Sequence, residues 1–171
     1  MIWWLSPLDR QKVSTWIATE DIKTVLAKDW GYRIEIIKPA LLCDFLVGWT
    51  KQPSISKDMI NLVKSAITRA FLEDTERNVQ ICKQALQTGD KMAVKASLQK
   101  VSDLLLGLSS AIYNDKLKAL KSAEKGLDVI AKSSGSGGGD CGIAISFSES
   151  DSHELAQRCR KLVLKYYIKK D

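Results

Sequence analysis

The chain reads as an α+β fold, a mostly antiparallel sheet backed by helices. Three observations predict it. Residues 56–126 carry apolar side chains at helical spacing. On each side of that block lie short runs, alternating or continuously apolar, of the kind that form strands. Between two of the later runs sits a glycine-rich stretch, Lys132-Ser-Ser-Gly-Ser-Gly-Gly-Gly-Asp-Cys-Gly-Ile-Ala144.

The elements follow in order. Met1 to Leu5 reads as a strand, Pro7 to Arg10 as a turn, and Arg10 to Trp16 as a short helix. Ile22 to Leu26 is a further short helical piece. Arg33-Ile-Glu-Ile-Ile-Lys38 alternates as a strand does and stops at Pro39. Cys43 to Trp49 is apolar on both faces apart from Asp44, which predicts a central strand with Trp49 in the core. Ser56 then reads as an N-cap. Met59, Leu62, Val63, Ala66, Ile67, Ala70 and Phe71 form one apolar helix face behind it. A second helix covers Thr75 to Gln87 and ends at Gly89. Asp90 caps a third, with Val94, Leu98, Val101, Leu105 and Leu108 on one face. A fourth runs from Asp115 to Lys125 and stops at Gly126; its Lys116, Lys118, Lys121 and Lys125 read as a solvated face. Val129 to Ala131 and Ile143 to Phe147 are strands. Ser150 or Ser152 caps a last helix reaching Leu164, and Tyr166 to Ile168 is a closing strand.

Composition excludes several classes of function. The 171 residues suffice for one domain, residues 1–171, with a sizeable core. Hydrophobic residues make up 45% and charged residues 27%, the balance of a soluble globular chain. No apolar run reaches the length of a membrane span, and Met1 to Leu5 is too short, and lacks the basic start, for a secretory signal. No membrane partner and a cytoplasmic location are therefore expected. Cys43, Cys82, Cys141 and Cys159 form no C-x-x-C pair, and His153 is the only histidine. That argues against a zinc site and for reduced thiols, so no metal is expected on the chain. The net charge of +6 suits anionic partners, phosphorylated small molecules or nucleic acid.

The glycine-rich stretch joins two strands, so it reads as a loop. Glycine lets such a loop approach a ligand closely, and successive exposed N–H groups can form an anion-binding concavity. The competing reading is a flexible linker. Strongly patterned chain on both sides, Lys132 before the run and Asp140-Cys141-Gly142 after it weigh against that reading. Gly137-x-Gly139-x-x-Gly142 spells a dinucleotide fingerprint, but the fingerprint needs a helix to follow, and here a strand does.

The run from Lys132 to Ala144 resembles the third conserved motif of the GHMP kinases. Within that superfamily it is most similar to the phosphomevalonate kinase family, where an S-G-x-G-G-G-D-C-G-I-A run occurs. Leu46-Val-Gly-Trp-Thr-Lys-Gln-Pro-Ser-Ile-Ser56 is similar to the same family's L-V-G-W-T-G-x-P-A-S-T segment, with Lys51 in place of a glycine. The resemblance implies the ferredoxin-like C-terminal domain of such a kinase. It implies ATP-dependent phosphorylation of mevalonate 5-phosphate to the 5-diphosphate, with ATP and Mg²⁺ as cofactors of the full-length enzyme. Ser134, Gly135, Ser136, Gly137, Gly138 and Gly139 are expected to line the phosphate or substrate site. Asp140 is read as a ligand contact or as a turn residue that fixes the loop through its side chain. Lys132, Ser54 and Ser56 are weaker candidates.

The family's P-x-x-x-G-L-G-S-S-A nucleotide loop has no counterpart here. The expectation is that an N-terminal ATP-binding domain is absent from this chain. No catalytic residue is then assigned within it, no cofactor is expected to bind it tightly, and the isolated chain is expected to be inactive. The expected partners are a small phosphorylated substrate and that missing kinase domain. Two alternatives stand beside this reading. One is another GHMP small-molecule kinase. The other is a basic α+β module that binds nucleic acid or protein, against which stands the lack of an aromatic–basic pattern on the expected strands.

Overall fold

The computed structural model describes residues 2–4, 15, 18–28, 33–135, 137–161 and 165–169. The chain divides into two compact units, Met1–Lys38 and Pro39–Asp171.

In the first unit, β1 (Ile2–Trp4) pairs antiparallel with β2 (Arg33–Glu35), Trp3 opposite Ile34. The alternating run to Lys38 predicts a longer second strand. The strand spans only Arg33–Glu35, with Glu35 opposite Ile2. Helix α1 (Ile22–Ala27) starts at Asp21, whose Oδ1 accepts the amides of Lys23 and Thr24 at 3.0 and 3.1 Å. The expected turn at Pro7 to Arg10 and the helix from Arg10 to Trp16 lie outside the described residues, apart from Thr15, which is helical.

The second unit runs β3 (Asp44–Trp49), α2 (Ser56–Val63), α3 (Arg69–Thr88), α4 (Lys91–Leu108), α5 (Asp115–Ala123), β4 (Val129–Ser133), β5 (Cys141–Ser146), α6 (Glu149–Lys161) and β6 (Lys165–Lys169). Among the described residues its strands lie in the order β4-β5-β3-β6, every neighbouring pair antiparallel. This is the β-α-β-β-α-β order of a ferredoxin-like fold, with the helical block filling the first crossover. The strand that is apolar on both faces, β3, is central, as its composition predicts.

Leu46, Ala144 and Ala131 stand side by side across three strands and are buried. They share one core cluster with Leu117, Leu120, Leu155 and Cys159. Full burial of each leucine contributes roughly 2 kcal/mol. In β5 the small residues turn inward. Gly142, Ala144 and Ser146 are buried, while Ile143 and Ile145 are partly exposed. The reason is close approach of α5: a Cβ on Gly142 would collide with Leu120 Cδ2. Phe45 and Trp49 lie on the opposite face of the sheet, 42% and 43% exposed. Trp49 is thus not a core residue. Leu46, Gly48 and Thr50 take the inward positions, and strand alternation sends Trp49 the other way.

The helical block departs from the sequence reading in several places. The single helix expected from Ser56 to Phe71 is broken. α2 ends at Val63, a 3-10 turn covers Lys64–Ala66, and Thr68 caps α3 by accepting the Phe71 amide at 3.1 Å. The local cap wins over an apolar spacing that continues across it. Ser56 is not an N-cap; Ile55 holds that position, without a side-chain bond. Asp90 does cap α4, accepting the Ala93 amide at 2.9 Å. The last helix starts at Glu149, so Ser148 takes the role expected of Ser150 or Ser152, its Oγ accepting the Asp151 amide at 3.4 Å. Residues 162–164, its expected end, lie outside the described residues. The α5 lysines are not all solvated. Lys116 Nζ donates to Thr50 O at 2.5 Å, and Lys121 Nζ donates to Gln99 Oε1 at 2.7 Å and Ala131 O at 3.1 Å.

Candidate functional site

The β4–β5 connection, residues 134–140, is a clamped loop and not a free linker. Ser134 N donates to Cys141 O at 3.0 Å and closes the hairpin. Gly138 N donates to Ile112 O at 2.8 Å, ahead of α5. Asp140 N donates to Gln52 O at 2.6 Å, and Thr50 N donates to Asp140 O at 2.7 Å. Ser54 Oγ donates to Gly137 O at 2.6 Å. Asn114 Nδ2 donates to Gly138 O at 3.0 Å and to Gln52 Oε1 at 3.1 Å. The segment after β3, the entry to α5 and the glycine-rich loop therefore form one hydrogen-bonded assembly.

Glycine is required at position 137 on two counts. Its φ is +76°, and a Cβ there would collide with Ile112. The base of the loop is held from the core. Ser133 N donates to Tyr113 Oη at 3.3 Å, and that oxygen lies 2.6 Å from Ser102 Oγ. Ser133 Oγ is buried and has no hydrogen-bond partner among the described residues.

Within this clamp, the amides of Gly135, Gly137 and Gly139 donate to no acceptor among the described residues. Buried backbone amides are nearly always paired. Gly137 and Gly139 are buried, so donors held open in a fixed frame suit an anion.

The structure brings Ser54 to the loop, where its Oγ bonds Gly137 O. Ser134, Gly135, Gly137, Gly138, Gly139 and Asp140 are in the loop itself, and Ser136 lies outside the described residues. Asp140 sits at φ +50° with its side chain exposed. Its backbone pins the loop, and its carboxylate accepts no hydrogen bond among the described residues. Burial, and then the Asp140 charge, push the Cys141 thiol up. Lys132 is half-buried; burial pushes its ammonium down, and Nζ donates to Ser133 O at 2.6 Å, at the foot of the loop. Ser56 is an exposed residue of the first turn of α2. Gln52, Ile112, Tyr113 and Asn114 hold the site without having been singled out. Only Asn114 carried a local signal: it precedes Asp115-Lys116-Leu117 and caps α5, its Oδ1 accepting the Leu117 amide at 3.0 Å.

No protein-family model matches the chain. Phosphomevalonate kinase of Streptomyces sp. (strain CL190) is 32% identical over 114 residues, 61% of this chain and 30% of that protein. The structure of Streptococcus pneumoniae phosphomevalonate kinase in complex with phosphomevalonate and AMPPNP is similar at 41% identity and a TM-score of 0.86, over 95% of this chain and 50% of that one. L. major mevalonate kinase shares the fold, with a TM-score of 0.67 at 17% identity over 80% of this chain. The chain thus spans about half the length of the solved relative and under a third of the curated one.

Proposed function

We propose that this chain, a C-terminal domain of the GHMP kinase class belonging with the phosphomevalonate kinases, forms the substrate side of an ATP-dependent kinase acting on mevalonate 5-phosphate. The product is the 5-diphosphate. The observation that carries this reading is the 134–140 loop: a clamped backbone with free amides at Gly135, Gly137 and Gly139, in a chain 41% identical over 95% of its length to a kinase solved with phosphomevalonate.

Phosphoryl transfer depends on positioning and on charge neutralisation more than on covalent help from the protein. Backbone amides fixed before the ligand arrives need no reorganisation when charge develops on the phosphate oxygens. In this reading Gly135, Gly137 and Gly139 donate to the substrate's anionic groups, and Ser134 adds a hydroxyl. Ser54 holds the Gly137 carbonyl and keeps that peptide in place. The Asp140 carboxylate, exposed and without a hydrogen-bond partner among the described residues, borders the same loop.

ATP and Mg²⁺ belong to the whole enzyme in this reading. Among the described residues no group of three or more His, Cys, Asp and Glu side chains could hold a metal ion. The reading assigns the cradle for ATP's phosphates to the part of the relatives that this chain does not span. No helix among the described residues is long and apolar enough to cross a membrane, and the reading places the enzyme in the cytoplasm. The nucleic-acid alternative finds no support among the similar proteins, which are small-molecule kinases.

The test is a two-dimensional NMR titration of the chain with phosphomevalonate and, separately, with ATP. Phosphomevalonate should shift amides within Ser134–Gly142 and Thr50–Ser56. A folded sample that shows no shift with phosphomevalonate overturns the reading.

A further inference from the structure

We propose that Asn114 is a positioning residue: its carboxamide fixes the Gly138–Gly139 peptide plane and so aims the Gly139 amide at a bound anion. The proposal rests on the phosphate-binding reading above.

In a trans peptide the carbonyl and the following N–H point in opposite directions, and the described residues contain no cis peptide. Three successive planes make up the centre of the loop. The Gly137–Gly138 plane is held at both ends, its carbonyl by Ser54 Oγ at 2.6 Å and its N–H by Ile112 O at 2.8 Å. The Gly139–Asp140 plane is held by its N–H, which donates to Gln52 O at 2.6 Å. The Gly138–Gly139 plane between them is held only by Asn114 among the described residues, through Nδ2 to Gly138 O at 3.0 Å. Drawing that carbonyl toward the entry of α5 turns the Gly139 N–H away from it. That N–H is the one donor of the three planes left without an acceptor among the described residues.

The side chain suits this task in a way few others could. Asn114 Oδ1 accepts the Leu117 amide at 3.0 Å, while the two hydrogens of Nδ2 serve Gly138 O and Gln52 Oε1 at 3.0 and 3.1 Å. Its acceptor caps the helix and its donors orient the loop. Aspartate keeps the cap and loses both donors. Serine also caps but is too short to span to the loop. Asn114→Asp therefore separates positioning from helix stability.

The experiment compares the wild-type chain with Asn114→Asp and Asn114→Ser. Amide hydrogen exchange is read at Leu117, Gly138 and Asp140, and binding is followed by NMR with phosphomevalonate and with inorganic phosphate. In both variants Leu117 should keep its protection. Gly138 and Asp140 should exchange about tenfold faster, and binding should weaken about tenfold, the loss expected for one hydrogen bond. Unchanged exchange in the loop overturns the proposal, as does faster exchange with unchanged affinity. Wild type that binds phosphate but not phosphomevalonate sinks the substrate assignment; weaker phosphate binding by the variants then still supports the positioning role. Wild type that binds neither probe overturns both.

Discussion

Ser54 donates its hydroxyl to the carbonyl of Gly137, 83 positions later in the chain, at 2.6 Å. This bond ties the segment after β3 to the middle of the glycine-rich loop. Replacing Ser54 with alanine leaves a partly buried carbonyl without its donor. Ser54→Ala should lower stability by about 1 kcal/mol in urea denaturation. It should also speed exchange of the Gly138 amide, which shares a peptide plane with that carbonyl. Full retention of Gly138 protection would show that Ile112 alone holds the plane.

Gly137→Ala is a harsher change. The residue sits at φ +76°, where an L side chain costs about 1–2 kcal/mol, and its new Cβ meets Ile112 of the core. The collision adds to the backbone term. A loss of at least about 2 kcal/mol is expected by urea or thermal denaturation. A variant of unchanged stability would mean that the loop can leave Ile112 freely, contrary to its clamped geometry.

Lys51 gives the opposite sign. It holds φ +58°, the left-handed region that glycine occupies without penalty. Lys51→Gly relieves that strain but adds freedom to the unfolded chain. The balance should be a gain of about 0.5–1 kcal/mol in urea denaturation.

Much of this architecture is legible in the residues themselves. The continuous apolar run from Phe45 to Trp49 marks a central strand, and Asp90 marks a helix start by side-chain chemistry alone. The break between α2 and α3 is hidden, because apolar spacing runs unbroken past Ile67 while Thr68 caps a new helix locally. The direction of β5 is hidden as well. Alternation shows two faces, but only the approach of Leu120 to Gly142 decides that the small residues turn inward. In the site, the glycines announce the loop. The other clamps do not announce themselves. Asn114 meets Gln52 across 62 positions and Gly138 across 24, distances over which no local pattern carries information.

Stability should also depend on pH through Asp128, just before β4. Lys91 and Lys95 of α4 reach its carboxylate at 2.7 and 2.8 Å. Their hydrogen bonds, Lys91 first, hold the carboxyl below its ordinary value of 3.8. A folded-state value below the unfolded one gives stability that is complete above 3.8 and is lost as pH falls through the folded value. Asp128 is a third exposed and Lys91 more so, so the effect is modest and screened by salt. Asp128→Asn should flatten part of the acid limb of a stability–pH curve measured by urea denaturation. An acid limb as steep as that of the wild type would remove Asp128 from the account.

The foot of the loop offers a contrast between two neighbouring changes. Tyr113 Oη accepts the Ser133 amide at 3.3 Å and lies 2.6 Å from Ser102 Oγ, all within the core. Tyr113→Phe removes the shared oxygen and strands a buried amide and a buried hydroxyl together. The expected cost is about 1–3 kcal/mol, the penalty for buried polar groups left unpaired. Ser133→Ala acts the other way. Ser133 Oγ is buried and has no partner among the described residues, so the hydroxyl is desolvated without compensation. Its removal should leave stability unchanged or raise it by up to about 1 kcal/mol. Both variants can be measured by urea denaturation under one condition. A Ser133→Ala chain that loses as much as Tyr113→Phe would mean that the hydroxyl is satisfied by an ordered water, and that the polar foot of the loop is a hydrated network and not a dry one.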